Sequence, residues 1–342
     1  MAESFRAEVP PAPAGEPRPL WSVMIPAYNC AAYLRVTLES VLAQDPGPGA
    51  MQIEVVDDCS TSDDPEAVVR EVGGGRVAFY RQARNVGHVG NFETCLLRSR
   101  GRLVHLLHGD DAVRPGFYAA MGRAFDARPG LGMAFCRHVY MDEAGTWRSP
   151  GPLLAPEPGV LAGGAALLAA RQPVQTPAAV VRREVYERLG GFDRRMPFCG
   201  EDWEMWVRIA SQFPVWYEPE PLALYRRHAV SLTGRSLRTG ENLRDLRRAV
   251  GIYRAYLPAA AAEGAATEAL ERTALWGVEL AARLLAGRDR PAALAQLREA
   301  LRCSRSPRVL GAVALLLGRS ARHWARRGVL AVGPGAAGAG RG

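Results

Sequence analysis

Five short apolar runs alternate with amphipathic segments from residue 21 to about residue 136. The runs are SVMI, QIEVV, VAFY, LVHLL and GMAFC, and most are apolar on both faces, as strands buried in a parallel sheet must be. The segments between them, AAYLRVTLESVLAQ, PEAVVREV, GNFETCLLRSR and PGFYAAMGRAFDAR, contain apolar residues at helical spacing. Alternation of this kind predicts a doubly wound α/β sheet flanked by helices.

Polar residues collect where three of these predicted strands end. PAYN (26–29) follows SVMI, DDCST (57–61) follows QIEVV, and HGDD (108–111) follows LVHLL. In doubly wound sheets, ligands bind in the crevice outside the carboxyl ends of the strands. The sequence therefore predicts a binding site built from three loops, although a single aspartate at such a position is also a common helix N-cap.

Asp110 and Asp111 place two like charges side by side at the end of a buried run. A hard divalent cation such as Mg²⁺ or Mn²⁺ takes oxygen ligands and commonly completes its shell with substrate phosphates, so it would cancel this repulsion. A metal held there would also neutralise a diphosphate leaving group. At the neighbouring strand end, Asp57 and Asp58 can accept hydrogen bonds from a base N–H or a ribose hydroxyl.

A second acidic pair, Glu201 and Asp202, begins the amphipathic segment EDWEMWVRIA. One interpretation is that the pair supplies a general base, which deprotonates an incoming hydroxyl. The other is that two acids at a helix N-terminus only complement the helix dipole. The residues alone leave both interpretations open.

The segment from about residue 237 to 328 is rich in Ala, Leu and Arg, and its periodicity predicts four helices. Its longest apolar run, VLGAVALLLG (309–318), has roughly half the length that crosses a bilayer and predicts no transmembrane helix. The arginine-flanked last helix either packs against its neighbours or lies on a membrane surface. Residues 1–19 lack the pattern of a secretory signal. Both they and residues 330–342 are predicted to be disordered.

Composition limits the kinds of binding partner and the cellular compartment that fit this chain. The formal net charge is +8, and all 43 cationic residues are arginine. They are spread along the chain without the aromatic pattern of an RNA-binding surface, which argues against nucleic acid. The six cysteines have no CxxC pair or zinc spacing, which indicates buried thiols in a reducing compartment. We expect a cytoplasmic protein, at the inner face of the membrane if the C-terminal helices contact lipid; the oligomeric state stays open.

The order and spacing of four blocks resemble the inverting family 2 glycosyltransferases, whose nucleotide-sugar-binding fold is called GT-A. The blocks are SVMIPAYNCAAYLRVTLESVLAQ, IEVVDDCSTSD, RNVGHVGNFETCLLRSRGRLVHLLHGDD and GEDWEMWVRIA, and they cover roughly residues 21 to 230. The resemblance implies a GT-A domain with a mixed sheet over residues 20–235, followed by a helical region over residues 236–329.

The resemblance also implies an activity. Such an enzyme is metal-dependent and transfers a hexose from a nucleoside-diphosphate sugar to an acceptor hydroxyl, with inversion at the sugar. The expected donor is UDP- or dTDP-linked, and the expected acceptor is a carbohydrate, a lipid-linked glycan or a small molecule. The expected process is polysaccharide, glycan or glycoconjugate biosynthesis.

Individual residues acquire roles from the same resemblance. Asp202 resembles the catalytic base, with Glu201 orienting the acceptor or sharing that task. Asp111 would be the principal metal ligand, and Asp110 would face the ribose or the metal. His228 is a candidate metal ligand, with a structural role as the open alternative. Arg226 is a candidate phosphate contact, with an ordinary surface position as the open alternative. Nucleotide contacts are implied for Pro26, Ala27, Tyr28, Asp57, Asp58, Asn85 and Gly87.

One departure from the family pattern concerns the metal site. Many relatives have an acid where this chain has His108 or Gly109, which leaves the number of protein ligands open.

Other functions fit the sequence less well. A sugar-phosphate nucleotidyltransferase needs a Gly-rich phosphate loop after the first strand, and PAYNCAAYL has none; a dinucleotide oxidoreductase needs GxGxxG. A catalytically inactive nucleotide-sugar binder or scaffold is the remaining alternative. The intact acids at positions 110, 111, 201 and 202 argue against it.

Overall fold

A mixed sheet forms the centre of the molecule. The computed structural model describes residues 5–13, 15, 17–228 and 236–318, and ten strands lie within these residues. Their order in the sheet is β3-β2-β1-β4-β9-β6-β10-β5, with β7 beside β6 and β8 beside β10. The strands are β1 (Trp21–Ala27), β2 (Met51–Asp57), β3 (Ala78–Arg81), β4 (Leu103–Leu106), β5 (Ala112–Val113), β6 (Met133–Met141), β7 (Trp147–Pro150), β8 (Gly159–Val160), β9 (Ala179–Arg182) and β10 (Val215–Arg226).

The strand directions confirm the expected mixed sheet. β1 pairs in parallel with β2 and β4, and β2 pairs in parallel with β3. β9 lies antiparallel between β4 and β6, and β10 is parallel to β6. The five expected strands correspond to β1, β2, β3, β4 and β6. The carboxyl ends of β1, β2 and β4 therefore meet at one edge, as the sequence predicted.

Helices cover both faces of the sheet. Met24 of β1 faces one core, which α3, α6 and α7 complete, whereas Val23 and Ile25 face another core with α1, α2 and α4. All seven residues of β1 are consequently buried, which explains its uninterrupted apolar run. The helices are α1 (Ala31–Leu42), α2 (Pro65–Gly73), α3 (Gly87–Arg98), α4 (Phe117–Ala127), α5 (Gly164–Ala170), α6 (Arg183–Leu189), α7 (Glu201–Ala210), α8 (Glu241–Tyr253), α9 (Ala259–Ala286) and α10 (Arg290–Cys303).

The helical C-terminal region packs against the domain that contains the sheet. Gly277 of α9 lies so close to α8 that an added Cβ would be 2.5 Å from Leu243 Cδ1, so glycine allows the two helices to approach. The Tyr253 hydroxyl at the end of α8 donates to the carbonyl of Ala169 in α5 over 2.7 Å. Residues 307–318 form the described part of the fourth expected helix. The tail expected to be disordered at 330–342 lies outside the described residues.

Residues 5–13 contradict the expectation of a disordered leader. Val9 is buried in the same core as α3 and α7, and the carbonyl of Ala7 accepts from the Gly191 amide over 2.8 Å. Arg6 Nη2 donates to Glu204 Oε1 of α7 over 2.9 Å. These partners lie far along the chain, so no local pattern near the N-terminus could predict them.

Among the described residues, no helix combines the length and the apolar character that a membrane crossing requires.

Candidate active site

The aspartates at the end of β2 are engaged in hydrogen bonds within the fold. Asp57 is fully buried, and its carboxylate accepts from Ser60 Oγ over 2.5 Å and from Arg81 Nε over 2.7 Å. Asp58 Oδ1 accepts from the Val86 amide over 2.7 Å. Burial raises the pKa of Asp58, and the amide donors at the start of α3 partly oppose this change. The two side chains therefore shape the edge of the crevice and join β2 to β3 and α3.

The loop after β1 is fixed beside the β2 loop. Asn29 has a φ of 49°, in the left-handed region, and its Oδ1 accepts from the amides of Thr61 and Ser62 over 2.9 and 3.1 Å. Pro26 and Ala27 are buried strand residues, whereas Tyr28 is 39% exposed. Among these candidate nucleotide contacts, Tyr28 presents the most accessible side chain.

Asn85 and Gly87 lie in the turn that leads into α3. Asn85 Nδ2 donates to the carbonyl of Asp58 over 3.1 Å, and Gly87 has a φ of 78°, which glycine adopts without strain. Gly87 and His88 line a cavity of about 380 Å³ at the start of this helix, with Glu93 and Arg194 on its other walls.

Asp110 and Asp111 occupy different environments. Asp111 Oδ1 accepts from the Arg226 amide over 2.8 Å, while its buried Oδ2 has no well-aligned donor among the described residues and faces His108. The side chain of Asp111 is 1% exposed and that of Asp110 is 26% exposed. Burial, together with the charge of Asp110, raises the pKa of Asp111 to about 6. Burial also acts to raise the pKa of Asp110, but the hydrogen bond from His228 and the charge of His108 lower it overall.

Histidines complete this acidic group. His108 Nδ1 lies 3.4 Å from Asp111 Oδ2, and His228 Nε2 lies 2.8 Å from Asp110 Oδ2. Burial acts to lower the pKa of His108, but the neighbouring carboxylates raise it overall. Donor atoms of His108, Asp110 and Asp111 lie within 4.8 Å of one another. Two carboxylates and an imidazole at this spacing, with Asp111 Oδ2 among the donor atoms, fit a divalent cation.

The packing around Gly109 explains one departure from the family pattern. A Cβ at this position would lie 2.7 Å from Cys30 Sγ and 3.3 Å from the Pro26 carbonyl oxygen. An acidic side chain at position 109 would therefore require the Cys30 side chain to move and would press on the Pro26 carbonyl. The other departure, His108, belongs to the group of side chains that could hold a metal ion, which the sequence did not indicate.

Arg226 has a structural position instead of the exposed one that a phosphate contact needs. It is 5% exposed, and its Nε donates to the carbonyl of Asp110 over 2.8 Å. Its Nη1 donates to the carbonyls of Asp142 and Glu143, each over 3.1 Å, and the guanidinium lies over the Tyr33 ring. We therefore interpret Arg226 as the residue that fixes the HGDD loop against the end of β10.

The second acidic pair lies at the N-terminus of α7. Asp202 Oδ1 accepts from Gln172 Nε2 over 2.8 Å and from the Trp203 amide over 2.6 Å. Burial, followed by the charge of Glu201, raises the pKa of Asp202 to about 7. Burial acts to raise the pKa of Glu201 too, but His88, whose Nε2 lies 3.3 Å from Glu201 Oε1, lowers it overall. The pair thus separates into an ionised carboxylate and one that titrates near neutral pH.

One aromatic ring connects the two acidic groups. Phe92 of α3 stacks on His108 at a centroid distance of 5.2 Å and meets His88 edge-on at 5.5 Å. His88 reaches Glu201 and His108 reaches Asp111. The positive charge of His108 also lowers the pKa of both Glu201 and Asp202. The loop after β4 and the start of α7 therefore border the same crevice.

Comparison with known proteins agrees with this arrangement. The family model described as Glycosyl transferase family 2 matches residues 22–190. The chain belongs to this family.

Relatives and a solved structure extend the likeness. Uncharacterized protein MT1568 of Mycobacterium tuberculosis (strain CDC 1551 / Oshkosh) is 32% identical over 68% of this chain and 74% of the relative. Succinoglycan biosynthesis protein ExoO of Rhizobium meliloti (strain 1021) is 34% identical, over 34% of this chain and 32% of ExoO. Mannosyltransferase PcManGT from Pyrobaculum calidifontis, in complex with GDP-Man and Mn²⁺, superimposes with a TM-score of 0.53 at 18% identity, over 92% of this chain and 83% of that chain. The likeness to PcManGT confirms the GT-A type of fold.

Three residues of this family 2 site escaped the sequence interpretation. His88 lies in the RNVGHVG segment, and a lone histidine has no characteristic spacing that would mark it as functional. In the sequence, His108 is only a departure from the usual acid. Gln172 follows α5, and no motif relates it to Asp202, thirty positions away.

Proposed function

We propose that this family 2 protein is an inverting glycosyltransferase in which Asp202 is the catalytic base. One observation carries the proposal: Asp202 is buried at the N-terminus of α7, hydrogen-bonded by Gln172, with its pKa raised to about 7. A base with a pKa near the working pH combines a usable ionised fraction with enough basicity to accept a proton from a hydroxyl. Glu201, ionised beside His88, is proposed to orient the acceptor.

The proposed reaction is a single displacement. Asp202 takes the proton of the acceptor hydroxyl, while the oxygen of that hydroxyl bonds to the anomeric carbon of the sugar. The bond from that carbon to the nucleoside diphosphate breaks, and the diphosphate leaves with the electron pair. A single in-line attack inverts the anomeric configuration, and it requires one base and no covalent intermediate.

The divalent metal is proposed to bind at Asp110, His108, Asp111 and His228. When bound, Mg²⁺ or Mn²⁺ would neutralise the negative charge that develops on the leaving diphosphate. Asp110, with the more exposed carboxylate, is proposed as the principal protein ligand, and Asp111 contributes its Oδ2 beside His108. This reverses the order that the family resemblance implied for the two aspartates.

The donor is proposed to lie over the ends of β1, β2 and β4. The exposed Tyr28 ring is suited to stack on the base, while Asp58 and Asn85 hold the turn that borders the same space. A UDP- or dTDP-linked hexose remains our proposal for the donor. Because PcManGT was solved with GDP-Man, a guanosine diphosphate sugar belongs in any test.

The acceptor is proposed to enter from the side of the cavity at the start of α3. His88 lines that cavity and contacts Glu201, so a hydroxyl held there would lie beside the acidic pair. The acceptor class is proposed to be a glycan or glycoconjugate, which agrees with the likeness to the succinoglycan biosynthesis protein.

The proposal is tested in two steps. First, the melting temperature is measured with UDP, dTDP and GDP and their hexose conjugates, with and without Mn²⁺, because a ligand that binds only the folded state raises it. Second, NMR of the first-formed product, or of the free sugar released by hydrolysis, gives the anomeric configuration. We expect a metal-dependent rise with one nucleotide and inversion in the product. A flat response to every nucleotide, or retention, would refute the proposal.

Asp202→Asn separates a catalyst from an inactive binder. The variant is expected to keep the donor-dependent rise in melting temperature and to lose turnover by at least about 100-fold, the range for loss of a general base. If the wild-type protein bound the donor but neither transferred nor hydrolysed it, the scaffold alternative would replace this one.

A further inference from the structure

The helix of residues 307–318 has one packed face and one exposed face. Val309 is fully buried, and Val313 and Leu316 pack with it against the core formed by α8, α9 and α10. On the other side, Leu310, Leu315 and Leu317 are 49%, 62% and 50% exposed. Every side chain from residue 309 to residue 318 is apolar. Packing within the fold therefore explains the apolar residues on only one face of this helix.

The chain's net positive charge arises in the same part of the sequence. All 35 acidic residues precede residue 300, and eight of the 43 arginines follow it. Residues 1–299 thus contain equal numbers of acidic and basic side chains, and the formal net charge of +8 belongs to residues 300–342. The eight arginines are Arg302, Arg305, Arg308, Arg319, Arg322, Arg326, Arg327 and Arg341.

We propose that the exposed face of the 307–318 helix docks on an anionic phospholipid surface. An apolar helical face flanked by cations lies in the membrane interface, where its leucines enter the acyl boundary and its arginines approach anionic headgroups. The apolar run is too short to span a bilayer, so the helix lies on the surface. This inference does not depend on the proposed reaction, because it rests on a different part of the molecule.

Charge argues against a second copy of the chain as the occupant of this face. In a two-fold dimer the same patch would meet itself, and each patch is next to the segment that has the entire net charge of +8. Like charges brought together in this way repel. An anionic bilayer supplies the opposite charge and an apolar layer at the same time.

The test is flotation of the full-length protein with lipid vesicles. We expect binding to vesicles that contain phosphatidylglycerol in phosphatidylcholine, weak binding to phosphatidylcholine alone, and weaker binding as salt is raised. The triple variant Leu310→Ser, Leu315→Ser, Leu317→Ser should lose about tenfold or more in binding. The double variant Arg305→Gln, Arg308→Gln should bind about 25-fold more weakly, near a factor of five for each charge.

A matched control removes exposed apolar side chains elsewhere. The variant Leu97→Ser, Leu153→Ser, Val160→Ser changes three residues that are 49%, 56% and 46% exposed outside this helix, and it should bind vesicles as the wild type does. Circular dichroism and the melting temperature show that each variant is folded. The proposal is overturned if the protein ignores both vesicle types, if it prefers neutral lipid, or if the control loses binding equally. A dimer seen by light scattering that only the 310/315/317 variant disrupts, without vesicle binding, would assign the face to a second copy instead.

Discussion

Gln172 Nε2 donates a hydrogen bond to Asp202 Oδ1 over 2.8 Å, across thirty positions of sequence. An amide N–H stabilises the ionised carboxylate more than the protonated acid, so this contact lowers the pKa of Asp202. Burial and the charge of Glu201 act in the other direction and are larger in sum, which leaves the pKa at about 7. Gln172 therefore helps to set the pH range in which the base is ionised.

Gln172→Ala should move the acid limb of the pH profile upward. Activity requires ionised Asp202, so kcat/KM rises with pH through its pKa. Loss of a hydrogen bond worth about 1 kcal/mol raises that pKa by roughly half a unit to one unit. Above the limb, kcat/KM should recover most of the wild-type value. Gln44→Ala, at a glutamine bonded only within the α1 region, is the control, and an unmoved limb in Gln172→Ala would show that the contact does not tune Asp202.

Asp110→Asn and Asp111→Asn should differ in their response to metal. Asp110 is the more exposed carboxylate and pairs with His228, whereas Asp111 uses one oxygen to accept from the Arg226 amide. Asp110→Asn should abolish the Mn²⁺-dependent part of the nucleotide-induced rise in melting temperature. Asp111→Asn, which can keep the bond from Arg226, should retain part of it. The opposite ranking would restore Asp111 as the principal ligand.

Arg6→Ala should destabilise the fold through α7. Arg6 donates to Glu204, which is fully buried, and Glu204 keeps Arg208 and Tyr256 as its remaining partners. Because those partners remain, we expect a loss of about 1–3 kcal/mol in the free energy of unfolding, below the cost of leaving a buried charge unpaired. Urea denaturation measures it. Arg70→Ala, on the exposed side of α2, should change stability by less than about 0.5 kcal/mol.

Gly109→Ala should be costly despite adding only one methyl group. Its Cβ would lie 2.7 Å from Cys30 Sγ and 3.3 Å from the Pro26 carbonyl oxygen, so the Cys30 side chain or the HGDD loop must shift. Overpacking of this kind costs about 1–3 kcal/mol. Gly130→Ala, where an added Cβ meets nothing within 4 Å, serves as the control. Equal stability of the two variants in urea would show that the loop adapts without strain.

The sequence predicted the sheet, the flanking helices and the position of the site for one physical reason. Strands buried on both faces must be apolar throughout, so the polar residues at their ends stand out, and parallel strands bring those ends to one edge. Contacts between distant segments have no such signal. His88, Gln172 and Arg6 reach the acids of α7 from three separate parts of the chain. Their roles depend on packing that no local pattern records.

Asp202→Asn should stabilise the protein above neutral pH while it removes activity. The pKa of Asp202 is about 7 in the folded protein, against the ordinary aspartate value of 3.8. The folded state therefore binds this proton more tightly than the unfolded state, and stability falls as pH rises from about 4 to about 7. Asparagine does not titrate, so the stability of the variant relative to the wild type should increase across this range, by on the order of 4 kcal/mol in total.

Glu201→Gln should have the opposite effect on stability to Asp202→Asn. The pKa of Glu201 is lowered in the folded protein, through His88, so its ionised form stabilises the fold and the stabilisation is lost as pH falls through that pKa. At pH 8 the free energy of unfolding, measured in urea, should therefore be lower for Glu201→Gln than for the wild type and higher for Asp202→Asn. If the free energy of unfolding changed in the same direction in both variants, the two carboxylates would not divide into one ionised and one titrating group. That result would argue against Asp202 as the catalytic base.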